Sequence, residues 1–242
     1  MAEAFGWGLL AASSLIIGGL IAMVMRIGNR LLGLVMAFGA GVLISAVAYE
    51  LVEEAFETSS GTGGVGLGLF AGALVFFSGD ALIDRMGGAD RKRSQGSESG
   101  SPLAIVLGIV LDGIPESVVI GLSILTGGEV GFAVLAAVFL SNLPEAVAAT
   151  VGLRTSGWPN VRITGLWIMV AFVSGLAALA GYALLDSAAP NTIAFINAFA
   201  AGAILTMLAD TMMPEAFQHG GKLVGLFTTA GFAAAFALST LE

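Results

Sequence analysis

Long apolar runs separated by short polar connections set the pattern of this chain. Eight can be marked, at about 4–25, 31–52, 62–83, 102–125, 129–153, 162–184, 190–211 and 221–241. Each is close to the ~20 residues that a helix rising ~1.5 Å per residue needs to cross ~30 Å of hydrocarbon. The connections are too short for a soluble domain. A backbone in hydrocarbon must satisfy its own hydrogen bonds, so the pattern predicts one all-α polytopic membrane domain over 1–242, with eight transmembrane helices. The longest connection, RMGGADRKRSQGSESGS at 85–101, is polar and Gly/Ser-rich. It reads as a flexible cytoplasmic loop.

Two runs resemble each other. AFGAGVLISAVAYELVEEAF (37–56) in run two and AFAAGAILTMLADTMMPEAF (198–217) in run seven align without a gap. They share Ala37/Ala198, Phe38/Phe199, Ala40/Ala201, Gly41/Gly202, Ala48/Ala209 and the closing Glu54-Ala55-Phe56/Glu215-Ala216-Phe217. Runs two and seven cross in opposite directions. Similar segments of opposite direction are the mark of an inverted repeat, a frequent transporter architecture.

Composition sharpens the class. The chain is 57% hydrophobic and 11% charged, with mean hydropathy +0.97. A globular domain carries about 25% charged residues. The nine basic residues fall in alternate connections: Arg26 and Arg30; Arg85, Arg91, Lys92 and Arg93; Arg154 and Arg162; and Lys222. The positive-inside rule then puts both termini outside. Acids gather on the other side, at Glu3, Glu53, Glu54, Glu57, Glu129, Asp186 and Glu242. A net charge of −8 argues against a nucleic-acid partner, and the absence of cysteine excludes disulfides and thiolate metal sites. The first run lacks the basic n-region and small-residue cleavage site of a signal peptide, so it is expected to be a retained helix. A short chain of this kind fits a prokaryotic cytoplasmic membrane.

The candidate chemistry lies in runs four and five, in LDGIPES (111–117) and SNLPEA (141–146). Each places a proline and a glutamate inside an apolar segment. Asp112 and Glu116 are spaced i, i+4 and share a helix face, as do Ser141 and Glu145. Counted from the helix ends, both motifs lie near the midplane on antiparallel neighbours joined by a turn around Gly127 and Gly128. Pro115 offers no amide to the carbonyl of Leu111, and Pro144 none to that of Leu140. Together the motifs supply three carboxylates (Asp112, Glu116, Glu145), the Asn142 amide, the Ser141 hydroxyl and freed carbonyls, all oxygen donors. Three carboxylates at that depth cannot stay ionised side by side without protons or a cation. A divalent cation is the economical solution. A single such motif would be explained as a kinked helix whose acid bonds a neighbour; two at equal depth point to a shared site.

At these residues the sequence resembles the ZIP family of metal-ion transporters, whose helices four and five carry H-N-x-P-E-G-type motifs. The ends of runs two and seven, Glu50-Leu51-Val52-Glu53-Glu54 and Thr211-Met212-Met213-Pro214-Glu215, are similar to the family's H-L-L-P-E-type signature. The resemblance implies helices one to three and six to eight as inverted repeats around the central pair, a homodimer, and metal movement toward the cytoplasm. It implies a transport site of Asp112, Glu116, Asn142 and Glu145, with Ser141 as a further candidate. Asp112 and Ser141 stand where the family has histidine, Gly113 where it often has asparagine, and Ser117 and Ala146 replace the glycines after Glu. Carboxylate and carbonyl donors suit harder ions, so manganese or iron is weighed beside zinc as the transported substrate. No cofactor is implied. A carboxylate at 112 can also take a proton in the empty state, which suggests proton-coupled uptake.

Glu50, Glu53, Glu54 and Glu57 gather at the outer end of run two, where they focus the field for cations or simply solvate a helix end. Asp210 and Glu215, with Asp80 and Asp84, mark an inner exit or pair with loop arginines. His219 reads as a solvated residue beside run seven. Proton-coupled export of an organic solute would also use midplane carboxylates. A non-transporting metal sensor on the same fold would bind without flux. Intramembrane aspartyl proteolysis needs paired deep aspartates and a G-x-G-D phrase, which the chain lacks, so an enzyme is not expected.

Overall fold

The computed structural model describes residues 1–59, 61–88, 102–127 and 131–240, and every regular element among them is helical. Helix α1 (Ala2–Val24) leads through a short link to α2 (Asn29–Ala46). The second helix does not stop where the apolar run ends. A π turn at Val47–Val52 carries it into α3 (Glu53–Thr58), so the acids placed at its mouth stand on continuing helix. Helix α4 (Thr62–Ile83) closes in another π turn, Asp84–Gly88. Both α5 (Pro102–Gly127) and α6 (Phe132–Thr155) persist through an internal proline. Then come α7 (Asn160–Leu185) and α8 (Pro190–Met207), whose first-turn proline suits a helix start. A third π turn, Leu208–Met212, joins α8 to α9 (Met213–Gly220). A 3₁₀ turn at Gly221–Leu223 links α9 to α10 (Val224–Ser239). Most of the loop expected to be flexible (89–101), with Arg91, Lys92 and Arg93, lies outside the described residues, as do Gly128, Glu129 and Glu242.

Among the described residues, seven helical stretches are long and apolar enough to cross a membrane, against eight apolar runs in the sequence. The difference lies at the end of the chain. Residues Pro190–Ser239 form one stretch of 50 residues, well beyond the ~20 that a single crossing needs. Inside it, Gly221 takes φ 63°, a left-handed conformation that favours glycine and breaks the helix there.

Apolar side chains give helices in lipid little reason to pair, so close packing of small residues decides which ones do. Helix α2 crosses α10 where Gly41 faces the Thr228 carbonyl and Gly231 faces that of Phe38. Helix α8 crosses α4 in the same manner, with Gly202 against the Leu69 carbonyl and Gly72 against that of Phe199. A Cβ at any of the four would land on the neighbour's oxygen. A second set of helices packs around α1. Trp167 Nε1 of α7 donates to Thr150 Oγ1 of α6 at 2.9 Å, and Arg154 Nη1 of α6 donates to the Ala22 carbonyl of α1 at 3.1 Å. Helix α7 also lies along α5. Two groups result: α2, α3, α4, α8, α9 and α10 in one, α1, α5, α6 and α7 in the other. They meet chiefly where α2 runs along α6 and α5 along α8.

Candidate functional site

The seam between the two groups is where the polar motifs meet. On α5, the helix persists through Pro115, and Ser117 Oγ donates to the Gly113 carbonyl at 2.6 Å, bonding backbone beside the proline. One residue after the proline, Glu116 points inward with only 1% of its surface exposed. Its side chain borders an apolar cavity of about 10 Å³, walled otherwise by residues such as Leu43 and Leu51 from the α2–α3 segment, Val134 and Val138 from α6, and Ile204 from α8.

From α6, Ser141 Oγ lies 3.3 Å from Glu116 Oε1 and 3.0 Å from the Val138 carbonyl. A hydroxyl has one proton, so it can serve either acceptor at a time. This bond joins the two proline-glutamate motifs physically. Glu116 Oε2 is buried and accepts no hydrogen bond. Asn142 is buried beside Ser141. The Leu140 carbonyl, which Pro144 leaves without its helical donor, faces α2 at Gly39, where a Cβ would approach it to 3.2 Å. A glycine there leaves room beside a carbonyl that needs a partner.

The remaining acids surround this pair. Glu145 is half-buried and within electrostatic reach of Glu116, Asp112 and Glu215. Asp112, also half-buried, acts on Glu215 as well. Glu215 lies on α9 with 8% exposure, so it belongs with the central acids rather than beside Asp210, which is exposed. Thr211-Met212-Met213-Pro214-Glu215 thus brings a third proline-glutamate phrase to the same place. Glu50 and Glu54 are half-buried at the far end of the α2–α3 segment, and Glu53 is exposed there. Asp80 is buried on α4, Asp84 half-buried, and His219 half-buried against the start of α2 near Gly33. Among the described residues, no three His, Asp or Glu side chains stand close enough to hold a metal ion in this conformation.

Two polar groups escaped sequence reasoning. Asn197 of α8 is 1% exposed with its Nδ2 unpaired, and Thr211 Oγ1 is buried without a partner. A lone asparagine in an apolar run carries no motif. Thr211 was visible only as part of the run-seven phrase.

No protein-family model matches the chain. It is similar to a zinc transporter, ZupT, of Enterobacter sp. (strain 638), with 30% identity over 220 residues, 86% of this chain and 84% of that protein. The zinc transporter ZupT of Salmonella paratyphi A is likewise 30% identical over 222 residues, with the same coverage. An Arabidopsis thaliana protein provisionally described as a zinc transporter is 28% identical over 214 residues. The chain spans only 34% of that longer protein.

Proposed function

The chain belongs to the ZIP family of metal-ion transporters, and from that premise we propose that it carries divalent cations, zinc, manganese or iron, across a membrane toward the cytoplasm. The observation that carries this reading is the Ser141–Glu116 hydrogen bond, which draws both motifs into one cluster with Asp112, Glu145 and Glu215 in electrostatic range. The cargo is held by Glu116 and Glu145 with Asp112, while Asn142 and Ser141 offer a neutral oxygen each. Glu215 and the Thr211 hydroxyl receive the ion on its way to the inner mouth, and Glu50, Glu53 and Glu54 gather ions at the outer one. Donors of this kind suit manganese and iron(II) at least as well as zinc.

Eight crossings result if the 50-residue stretch folds back at Gly221. An inverted repeat is supported by the glycine crossings. Phe38 and Gly41 of α2 meet α10 as the aligned Phe199 and Gly202 of α8 meet α4. The packing also suggests how access alternates: α1, α5, α6 and α7 carry the central motifs as one body that shifts against the other group. The basic connections place both termini outside. A homodimer remains the assembly implied by the family.

The test is uptake of manganese, iron(II), zinc and cadmium into proteoliposomes by wild type and Glu116→Gln. Flux in the wild type and its loss in the variant are expected. Folded protein that binds metal without moving it would make the chain a sensor instead. A rate indifferent to pH would count against proton coupling.

A further inference from the structure

π turns are well under 1% of residues in folded proteins, and single ones mark functional sites. Of the three π turns among the described residues, two, Val47–Val52 and Leu208–Met212, lie in the similar runs, and the gap-free alignment pairs Val47 with Leu208; the third, Asp84–Gly88, closes α4 and has no such counterpart. Each turn closes on a bond five residues back, though one position out of register. The amide of Glu53 donates to the Ala48 carbonyl, whereas Pro214, aligned with Glu53, has no amide, and that of Met213 donates to Leu208 instead. In each helix the turn begins six residues after the glycine that fixes the crossing, Gly41 or Gly202. The helix on the N-terminal side of each turn is pinned backbone to backbone. The turn and the helix on its C-terminal side carry acids: Glu50, Glu53 and Glu54 at the end of the α2–α3 segment in one case, exposed Asp210 and the central Glu215 in the other.

The inner turn shows the consequence for side chains. Three helical threonines reach back one turn, Thr155 to Val151, Thr206 to Gly202 and Thr229 to Gly225, all at 2.9 Å, and Thr164 and Thr228 bond methionine sulfurs. Thr211, inside the π turn, has no partner for its buried hydroxyl. Pro214 has no amide to give, so α9 begins one backbone donor short just beyond the turn.

We propose that the two π turns are the hinges of the two gates, each storing one extra residue that the helix can pass along its length. Moving it turns the segment beyond by about 100°, the angle of one residue at 3.6 per turn, while the glycine crossing stays in place. Helices α2 and α8 run in opposite directions, so one hinge swings the outer acids and the other the inner ones. This rests on the transporter reading above.

Ala48 and Ala209 are aligned and exposed, so deleting either removes the stored residue without opening a cavity. Each deletion should cut flux at least tenfold in proteoliposomes while equilibrium binding of the transported metal to purified protein persists. As a measurement independent of those variants, amide exchange in the wild type should be faster at 47–53 and 208–213 than in the flanking helix, and should change when metal binds. Wild-type flux in a deletion variant would overturn the proposal. So would turns as protected as their flanks and indifferent to metal, whether or not the deletions fold. Absence of metal flux in the wild type would instead remove the transporter reading itself.

Discussion

At the residue scale, the proposed transport site turns on how Glu116 is supported. Its Oε1 is held by Ser141, and its Oε2 is buried with no donor. Removing the hydroxyl leaves the carboxylate unsupported but does not disturb the helix. Ser141→Ala is therefore expected to lose about 1 kcal/mol of binding, roughly a fivefold rise in the KM for uptake, together with about 1–3 kcal/mol of stability from the unsatisfied buried carboxylate. Asp112 bears on selectivity. Replacing it by histidine restores an imidazole, a better match for zinc than for manganese. Asp112→His should raise the ratio of zinc to manganese flux, read in a competition assay. Asp112, Glu116, Asn142 and Glu145 stood out as candidates because a proline and an acid recur in apolar runs. Glu215's place among them was not, since its distance from Asp112 depends on how α9 packs against the rest.

At the element scale, helix pairs are decided by where a side chain is missing. Gly41 and Gly202 sit against backbone oxygens of α10 and α4. Alanine at either site must push the helices apart, and each variant should lose about 1–3 kcal/mol of stability, measured by unfolding in detergent. Gly66 of α4 has nothing within 4 Å of the added carbon. There Gly66→Ala should be neutral, or stabilising by up to about 1 kcal/mol through backbone entropy. The similarity of runs two and seven was visible as a pattern of Ala, Gly and Phe. That their aligned positions form matching crossings and matching π turns was not, because a π turn leaves no mark in residue type.

At the scale of the whole molecule, the two helix groups predict where motion occurs. A link between groups should stop transport, and a link within one should not. The chain has no cysteine, so pairs can be introduced cleanly. Gly79 of α4 and Leu111 of α5 face each other across the seam, an added Cβ lying 3.1 Å from the leucine side chain. Phe5 of α1 and Phe172 of α7 lie within one group, their rings 5.7 Å apart. Bridging Gly79→Cys with Leu111→Cys by a short thiol reagent should abolish flux, and bridging Phe5→Cys with Phe172→Cys should leave most of it. Equal effects would argue against the division.

Hydrophobic length and the scarcity of charge determined by themselves that this is an all-helical membrane protein, because hydrocarbon leaves few options for a chain so apolar. The placement of basic residues supplied an expectation of orientation, and the repeated proline-glutamate phrases marked candidate ligands. Tertiary structure alone decided which helices share a group, that Ser141 of one motif reaches Glu116 of the other, and that Glu215 joins them. Those outcomes depend on glycine-sized gaps and on the rotation of one helix against another. Periodicity along a chain does not encode that rotation when nearly every face is apolar.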